Sequence, residues 1–120
     1  MKDRFYWDTH RGKRILINDY SEMSGEDFIA QVIHNREEIR KIPDRDLLVL
    51  VHARNAFVSK EVLNEMKTSA SEFKEVFDRT AIVTDQSIQK FFINVVNKVT
   101  GIGARAFDDV DSAKDWLVTA

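Results

Sequence analysis

The sequence predicts an α/β fold: a single domain of four βα units with a largely parallel sheet, opened by an N-terminal antiparallel hairpin strand. Three observations predict it. Short apolar runs, Ile15-Leu16-Ile17, Leu47–Val51 and Ala81-Ile82-Val83, recur along the chain, as expected of strands covered on both faces. Segments with apolar residues at helical spacing separate them, and that alternation implies right-handed crossovers. The 120 residues hold one proline, Pro43, and no linker, repeat or low-complexity tract, which fits one domain over 1–120.

The elements follow in order. Phe5–Thr9 and Lys13–Tyr20 flank His10-Arg11-Gly12, a turn signal, so residues 1–12 read as an opening strand and turn and 13–118 as the βα units. The first helix begins at Ser24, with Asp27 placed for a capping box and Met23 for a staple onto Phe28. Phe28, Ile29, Val32, Ile33 and Ile39 form its stripe until Pro43 ends the run. After Leu47–Val51, a second helix is expected from Ser59 to Phe77, its stripe Val62, Leu63, Met66, Ala70, Phe73 and Phe77. Thr80–Thr84 is the next strand. Asp85 starts a third helix, whose Ile88, Phe91, Phe92, Val95, Val96 and Val99 fit the helical template, and Gly101 closes it in the left-handed conformation. Gly103–Phe107 is the last strand. Asp108 or Asp109 caps a closing helix with Val110, Ala113, Trp116 and Leu117 inward.

Composition narrows the function. Apolar residues make up 43% and charged residues 32%, which argues against disorder. Twenty acidic residues against eighteen basic ones give a net charge of −2, so nothing pulls the chain toward nucleic acid or an anionic membrane. The longest apolar run, Leu47–Val51, is far below the ~20 residues of a membrane span. The N-terminus lacks the apolar stretch of a signal peptide, and a cytoplasmic location is the expectation. With no cysteine there is no disulfide, thiolate metal site or cysteine nucleophile.

Ligands of an open α/β sheet meet the loops after the carboxyl ends of its strands, here Asp19–Met23, Ala53–Val58, Thr84–Gln86 and Phe107–Asp109. The second loop is the richest. His52, Arg54, Asn55, Phe57 and Ser59 gather between a buried strand and a helix start, where unpaired N–H groups suit an anion. The plainer alternative makes Ser59 only an N-cap and Arg54 a solvated loop residue.

Other patterns fall away. His10, His34 and His52 are scattered and form no zinc motif, so no metal or cofactor is expected. Glu37-Glu38 and Asp108-Asp109 are adjacent in sequence, diverge on a helix, and form no acid/base dyad. Gly101-Ile102-Gly103 follows a helix and precedes a strand, the reverse of a dinucleotide-binding loop. The central strand ends in His52 where a receiver domain needs an aspartate. The aromatic residues Phe73, Phe77, Phe91 and Phe92 read as core, or alternatively as the lining of an apolar cavity.

The order and spacing of these units resemble the SpoIIAA-like superfamily, which takes in the anti-sigma factor antagonist (STAS) domains and a bacterial branch likened to CRAL-TRIO lipid-binding domains. The resemblance runs from about Lys13 to Leu117. It rests most on Thr80–Asp85, the Phe91-Phe92 helix, Arg105–Asp109 and Ala113–Leu117. It implies a SpoIIAA-like superhelix without an enzymatic centre. In the antagonists a serine at the start of the helix after the central strand is phosphorylated by a partner kinase, and Ser59 falls at that place. The chain departs from their Asp-Ser-Ser-Gly-like start, reading Phe57-Val58-Ser59-Lys60-Glu61. The expectation is therefore a non-enzymatic domain that binds a protein partner through Ala53–Lys60, in bacterial signalling or regulation. The alternative is a carrier of a small lipid-like ligand lined by the four phenylalanines. The aromatic Phe5-Tyr6-Trp7 hairpin adds a homodimer as a further expectation.

Overall fold

β1 (Phe5–His10) and β2 (Lys13–Asp19) pair antiparallel around the two-residue turn Arg11-Gly12. Both turn residues have positive φ (52° and 80°), the combination that matches the right-handed strand twist and that glycine takes without steric cost. The computed structural model describes residues 3–85, 93–94, 97–98 and 101–119. After the hairpin come α1 (Gly25–Arg40), β3 (Leu47–His52), α2 (Lys60–Phe73), β4 (Phe77–Val83), β5 (Arg105–Phe107) and α3 (Val110–Val118). The five strands form one sheet in the order β1-β2-β3-β4-β5, parallel from β2 onward.

Strand periodicity sorts the core into two layers. Leu16, Val49 and Ile82 face α1 and α2, packing with Phe28, Val32, Ile39, Val62, Met66 and Phe73. Ile15, Ile17, Leu50, Ala81 and Val83 face the other way, against Ala113, Leu117 and Val118 of α3. The continuous apolar runs are therefore apolar because both sheet faces are covered, as their pattern predicts.

Several boundaries differ from expectation. The second helix stops at Phe73, not Phe77, and Phe77 opens β4. A register shift between Leu47 and Leu48 places Leu47 opposite Phe77 and Leu48 opposite Arg79, leaving Asp78 as the extra residue. That irregularity turns Phe77 to the α1/α2 face, where its ring stacks on Phe73 at 5.5 Å. Phe77 thus joins the expected cluster from a different element. Ser24 is the N-cap of α1, but its side chain makes no capping bond. Gly25, with φ +62°, swings the chain so that the serine hydroxyl does not reach the first-turn amides. Asp109, by contrast, caps α3 by accepting from the Ser112 amide at 2.8 Å.

Of the expected third helix, residues 93–94 and 97–98 are helical, and Ile93 packs against the α1/α2 core. Ile88, Phe91, Phe92, Val95, Val96 and Val99 lie outside the described residues. Gly101 (φ +71°) donates its amide to the Asn97 carbonyl at 2.8 Å, the helix closure expected of it. The Asn97 side chain then clamps both the amide and the carbonyl of Ala104, leading the chain into β5.

Candidate functional site

The loops after the carboxyl ends of the strands are stitched into one platform. Tyr20 N–H donates to the His52 carbonyl, Glu22 N–H to the Arg54 carbonyl and Phe57 N–H to the Met23 carbonyl, at 2.7, 3.0 and 3.0 Å. These bonds bind the loop after β2 to the loop after β3. The Ala53 amide reaches the Val83 carbonyl, the Asn55 amide reaches Asp85 Oδ2 at 3.2 Å, and Arg54 Nη1 donates to the Asp108 carbonyl at 2.9 Å. The third and fourth loops are tied in by the same device. Glu22 and Asn55 hold positive φ (61° and 58°), a conformation asparagine tolerates and glutamate adopts at a cost of roughly 1 kcal/mol.

Each predicted site residue has a place on this platform. His52 ends β3, with Nδ1 3.6 Å from Asp19 Oδ1. Arg54 and Asn55 are exposed in the turn that follows. Ser59 is half-buried and caps α2, its hydroxyl accepting from the Val62 amide at 3.1 Å. Phe57 stands out from the platform with 67% of its surface exposed, beyond any other large hydrophobic among the described residues. Burying a phenylalanine is worth about 1.5–3 kcal/mol, so leaving it in water forgoes one of the larger single contributions available to the fold.

Asp19 was not among the residues singled out from sequence, yet it organises this end of the sheet. It is buried, and Oδ1 accepts from both the amide (2.9 Å) and the hydroxyl (2.6 Å) of Ser21. Burial by itself would raise its pKa. The Ser21 hydroxyl and amide, aided by the charges of His52 and Arg4, outweigh that and hold the carboxyl below its ordinary range. The available signal was an aspartate at a strand end with a serine two residues on, the sequence of an Asx turn. Ser21 is thus bonded directly to the acid with no base between them, and Ser59 is occupied as a cap. Among the described residues, no group of three or more His, Asp or Glu side chains could hold a metal ion.

The second candidate region lies under α1 and α2. Phe73 and Phe77 line a cavity of about 70 Å³, together with Tyr20, Asn35, Arg36 and Thr80 among others. Phe91 and Phe92, the other two residues expected there, lie outside the described residues. One wall is unexpectedly polar. Asn35, 1% exposed, donates to Asn18 Oδ1 (3.0 Å) and Tyr20 Oη (3.1 Å) and accepts from Gln31 Nε2 (2.8 Å). Burial pushes the Tyr20 phenol well above its ordinary pKa, against the opposing pull of its bond to Asn35. Thr80 Oγ1 faces the same layer, buried and without a hydrogen-bond partner. Sequence did hold a clue: Asn35 interrupts the stripe Phe28, Val32, Ile39 at helical spacing.

The known proteins agree with this architecture. An uncharacterized protein with a SpoIIAA-like fold from Shewanella loihica PV-4 superposes with a TM-score of 0.66 at 17% identity, covering 94% of this chain and 91% of its own. At that identity the likeness concerns the fold alone. No curated protein matches the chain. A SpoIIAA-like family model matches residues 16–118, from the first buried strand to the end of the last helix, and the chain belongs to the SpoIIAA-like family.

Proposed function

We propose that the chain acts by binding a protein partner through the platform at the carboxyl ends of its strands, without catalysing a reaction. The observation that carries this reading is Phe57, a large apolar side chain 67% exposed on a loop whose backbone is fastened to the loop after β2. A rigid aromatic anchor needs little ordering on binding, and such residues dominate the energetics of protein interfaces. Arg54 and Asn55, exposed on the same loop, and His52 at the end of β3 supply polar groups suited to an interface rim.

Ser59 is the point at which such docking can be switched. Its hydroxyl caps α2, and an aspartate there keeps a capping oxygen while adding one negative charge beside Phe57. The test is affinity capture from the native host with the wild-type chain, Phe57→Ala, Ser59→Asp and Glu75→Ala. Glu75 is exposed in the turn between α2 and β4 and serves as the control. The expected result is a protein retained by the wild type and Glu75→Ala and lost with the other two, at melting temperatures within a few degrees of one another. Equal retention by all four overturns the reading.

The carrier reading has a smaller foothold. Pockets for small-molecule ligands span roughly 300–1,000 Å³, and the cavity under α1 and α2 measures about 70 Å³. Holding a lipid-like molecule there requires the cavity to enlarge severalfold. A non-covalent adduct in the native mass spectrum, absent after denaturation, is the result that would favour it.

A further inference from the structure

β1 is an edge strand: the sheet order begins with it, and among the described residues no segment pairs with its outer side. The Arg4 carbonyl accepts from the Asp19 amide at 2.8 Å, one step before the Phe5–Asn18 pair of the β1–β2 register. In an antiparallel ladder the direction of the backbone groups alternates, so Arg4, Tyr6, Asp8 and His10 turn theirs toward β2. Phe5, Trp7 and Thr9 turn their N–H and C=O groups outward. The Phe5 amide is covered by Asp3 Oδ1 at 3.2 Å, an exposed and exchangeable contact. The Thr9 amide rests on the Asp8 carboxylate, and the outward groups of Trp7 have no partner among the described residues. Such a row is a template for another strand, and this one lacks the usual defences of a proline, a bulge or a lysine.

The side chains on this edge are self-complementary. We infer that the chain forms a twofold homodimer by antiparallel pairing of β1 with β1 of a second copy, joining two five-stranded sheets into one of ten, with Tyr6 on the axis. In this register Phe5 and Trp7 of one copy form hydrogen-bonded pairs with Trp7 and Phe5 of the other, aromatic on aromatic. Tyr6 faces Tyr6, and Arg4 faces Asp8 of the second copy in both symmetry-related positions. Opposite charges and paired aromatics are the cross-strand combinations that stabilise antiparallel ladders. Sliding the axis to Trp7 sets Arg4 against His10 and Asp8 against Tyr6, which removes the charge pairing. The twofold thus selects a register, and the interface is isologous, the same patch on both copies.

Two features prepare the edge. Arg14 stacks over the Trp7 ring at 4.0 Å from its centroid, holding the indole against the sheet. On the other face Lys114 of α3 reaches Asp8 Oδ2, fixing at the edge the carboxylate that faces Arg4 of the second copy. Arg4 itself donates through Nη1 to the Asp19 and Ser21 carbonyls, which anchors the guanidinium with its other nitrogens free of those bonds.

The absence of cysteine makes the test direct. Residues on the axis of a non-hydrogen-bonded antiparallel pair sit about 4.5 Å apart at Cα, within disulfide range, whereas a residue one position along the strand lies about 9 Å from its own copy, beyond it. Tyr6→Cys should therefore oxidise to a covalent dimer about tenfold faster than Trp7→Cys or the exposed control Glu75→Cys. Sedimentation velocity on the unmodified chain, across a concentration series, should show a monomer–dimer equilibrium. Trp7→Pro, which removes an outward N–H and no bond to β2, should abolish it while keeping the monomer folded by circular dichroism. A wild-type chain that stays monomeric at submillimolar concentration overturns the proposal. So does a dimer that persists in Trp7→Pro, or one that crosslinks faster at Trp7→Cys than at Tyr6→Cys.

Discussion

Asn35 and Asp19 carry more of this fold than their chemistry suggests. Asn35 is 1% exposed in an otherwise apolar stripe and joins α1 to Asn18 and Tyr20. Removing it strands Asn18 Oδ1 and opens space in a packed layer, so Asn35→Ala should destabilise the chain by about 2–3 kcal/mol. Urea denaturation followed by circular dichroism measures this, and a change below about 0.5 kcal/mol would contradict the network. Asp19 predicts a pH dependence. Its carboxyl lies below the ordinary range in the folded state, so the native state binds fewer protons than the unfolded chain as pH falls. Its stabilising contribution is fully present above the unfolded value of about 3.9 and disappears as pH drops through the depressed folded value. Asp19→Asn should flatten the acid side of the stability profile and leave the slope near neutrality alone. An unchanged acid limb in that variant would contradict the assignment.

At the scale of elements, α1 and α2 are joined by two arginines of unequal weight. Arg36 is buried; its Nε donates to Ser69 Oγ at 2.9 Å, and its Nη2 to the Glu65 carbonyl and Oε1 at 2.8 and 2.6 Å. Arg40 makes a bidentate pair with Glu72 in solvent. Charge-assisted bonds from a buried group are worth about 1.5–3 kcal/mol, exposed pairs about 0–1. Arg36→Ala should therefore cost about 2 kcal/mol and Arg40→Ala less than about 1. The two melting curves decide it, and an equal cost would mean that the buried fork adds nothing. Sequence placed Arg36 and Arg40 on a helix, but their partners lie 29 and 32 residues away on another element. No local pattern reports that separation. The α2 boundary failed for a similar reason: Phe77 continues the helical stripe of Phe73 in sequence, and only its pairing with Leu47 of β3 makes it a strand residue.

Across the whole molecule, the loop platform proposed for docking and the β1 edge occupy different parts of the sheet. One gathers the carboxyl ends of the parallel strands; the other is the backbone row of the outermost strand. Arg4 joins the two through the Asp19 and Ser21 carbonyls, whereas Phe57 lies on the loop after β3 and not on the pairing strand, so Phe57→Ala should leave the proposed monomer–dimer equilibrium unchanged in sedimentation. The second sheet face is closed by α3, held to the hairpin by Lys114–Asp8 and by His10 Nε2 on Asp115 Oδ1 at 2.8 Å, and to β4 by Arg79 donating to the Trp116 and Thr119 carbonyls. His10, a turn residue with no visible purpose in sequence, thus fastens the first strand to the last helix.

Periodicity alone determined the element order, the parallel sheet and the two-sided burial of β2, β3 and β4, because 3.6- and 2-residue repeats are written locally along the chain. It also located the loop from His52 to Ser59, since strand ends and helix starts leave local signatures. Tertiary structure decided the rest. The fastening of that loop to Met23, Asp85 and Asp108, the burial of Asn35 against Asn18, and the outward half of β1 all arise between segments distant in sequence. Such contacts depend on how the layers stack, and the order of residues along one strand or helix does not encode which distant backbone groups will face them.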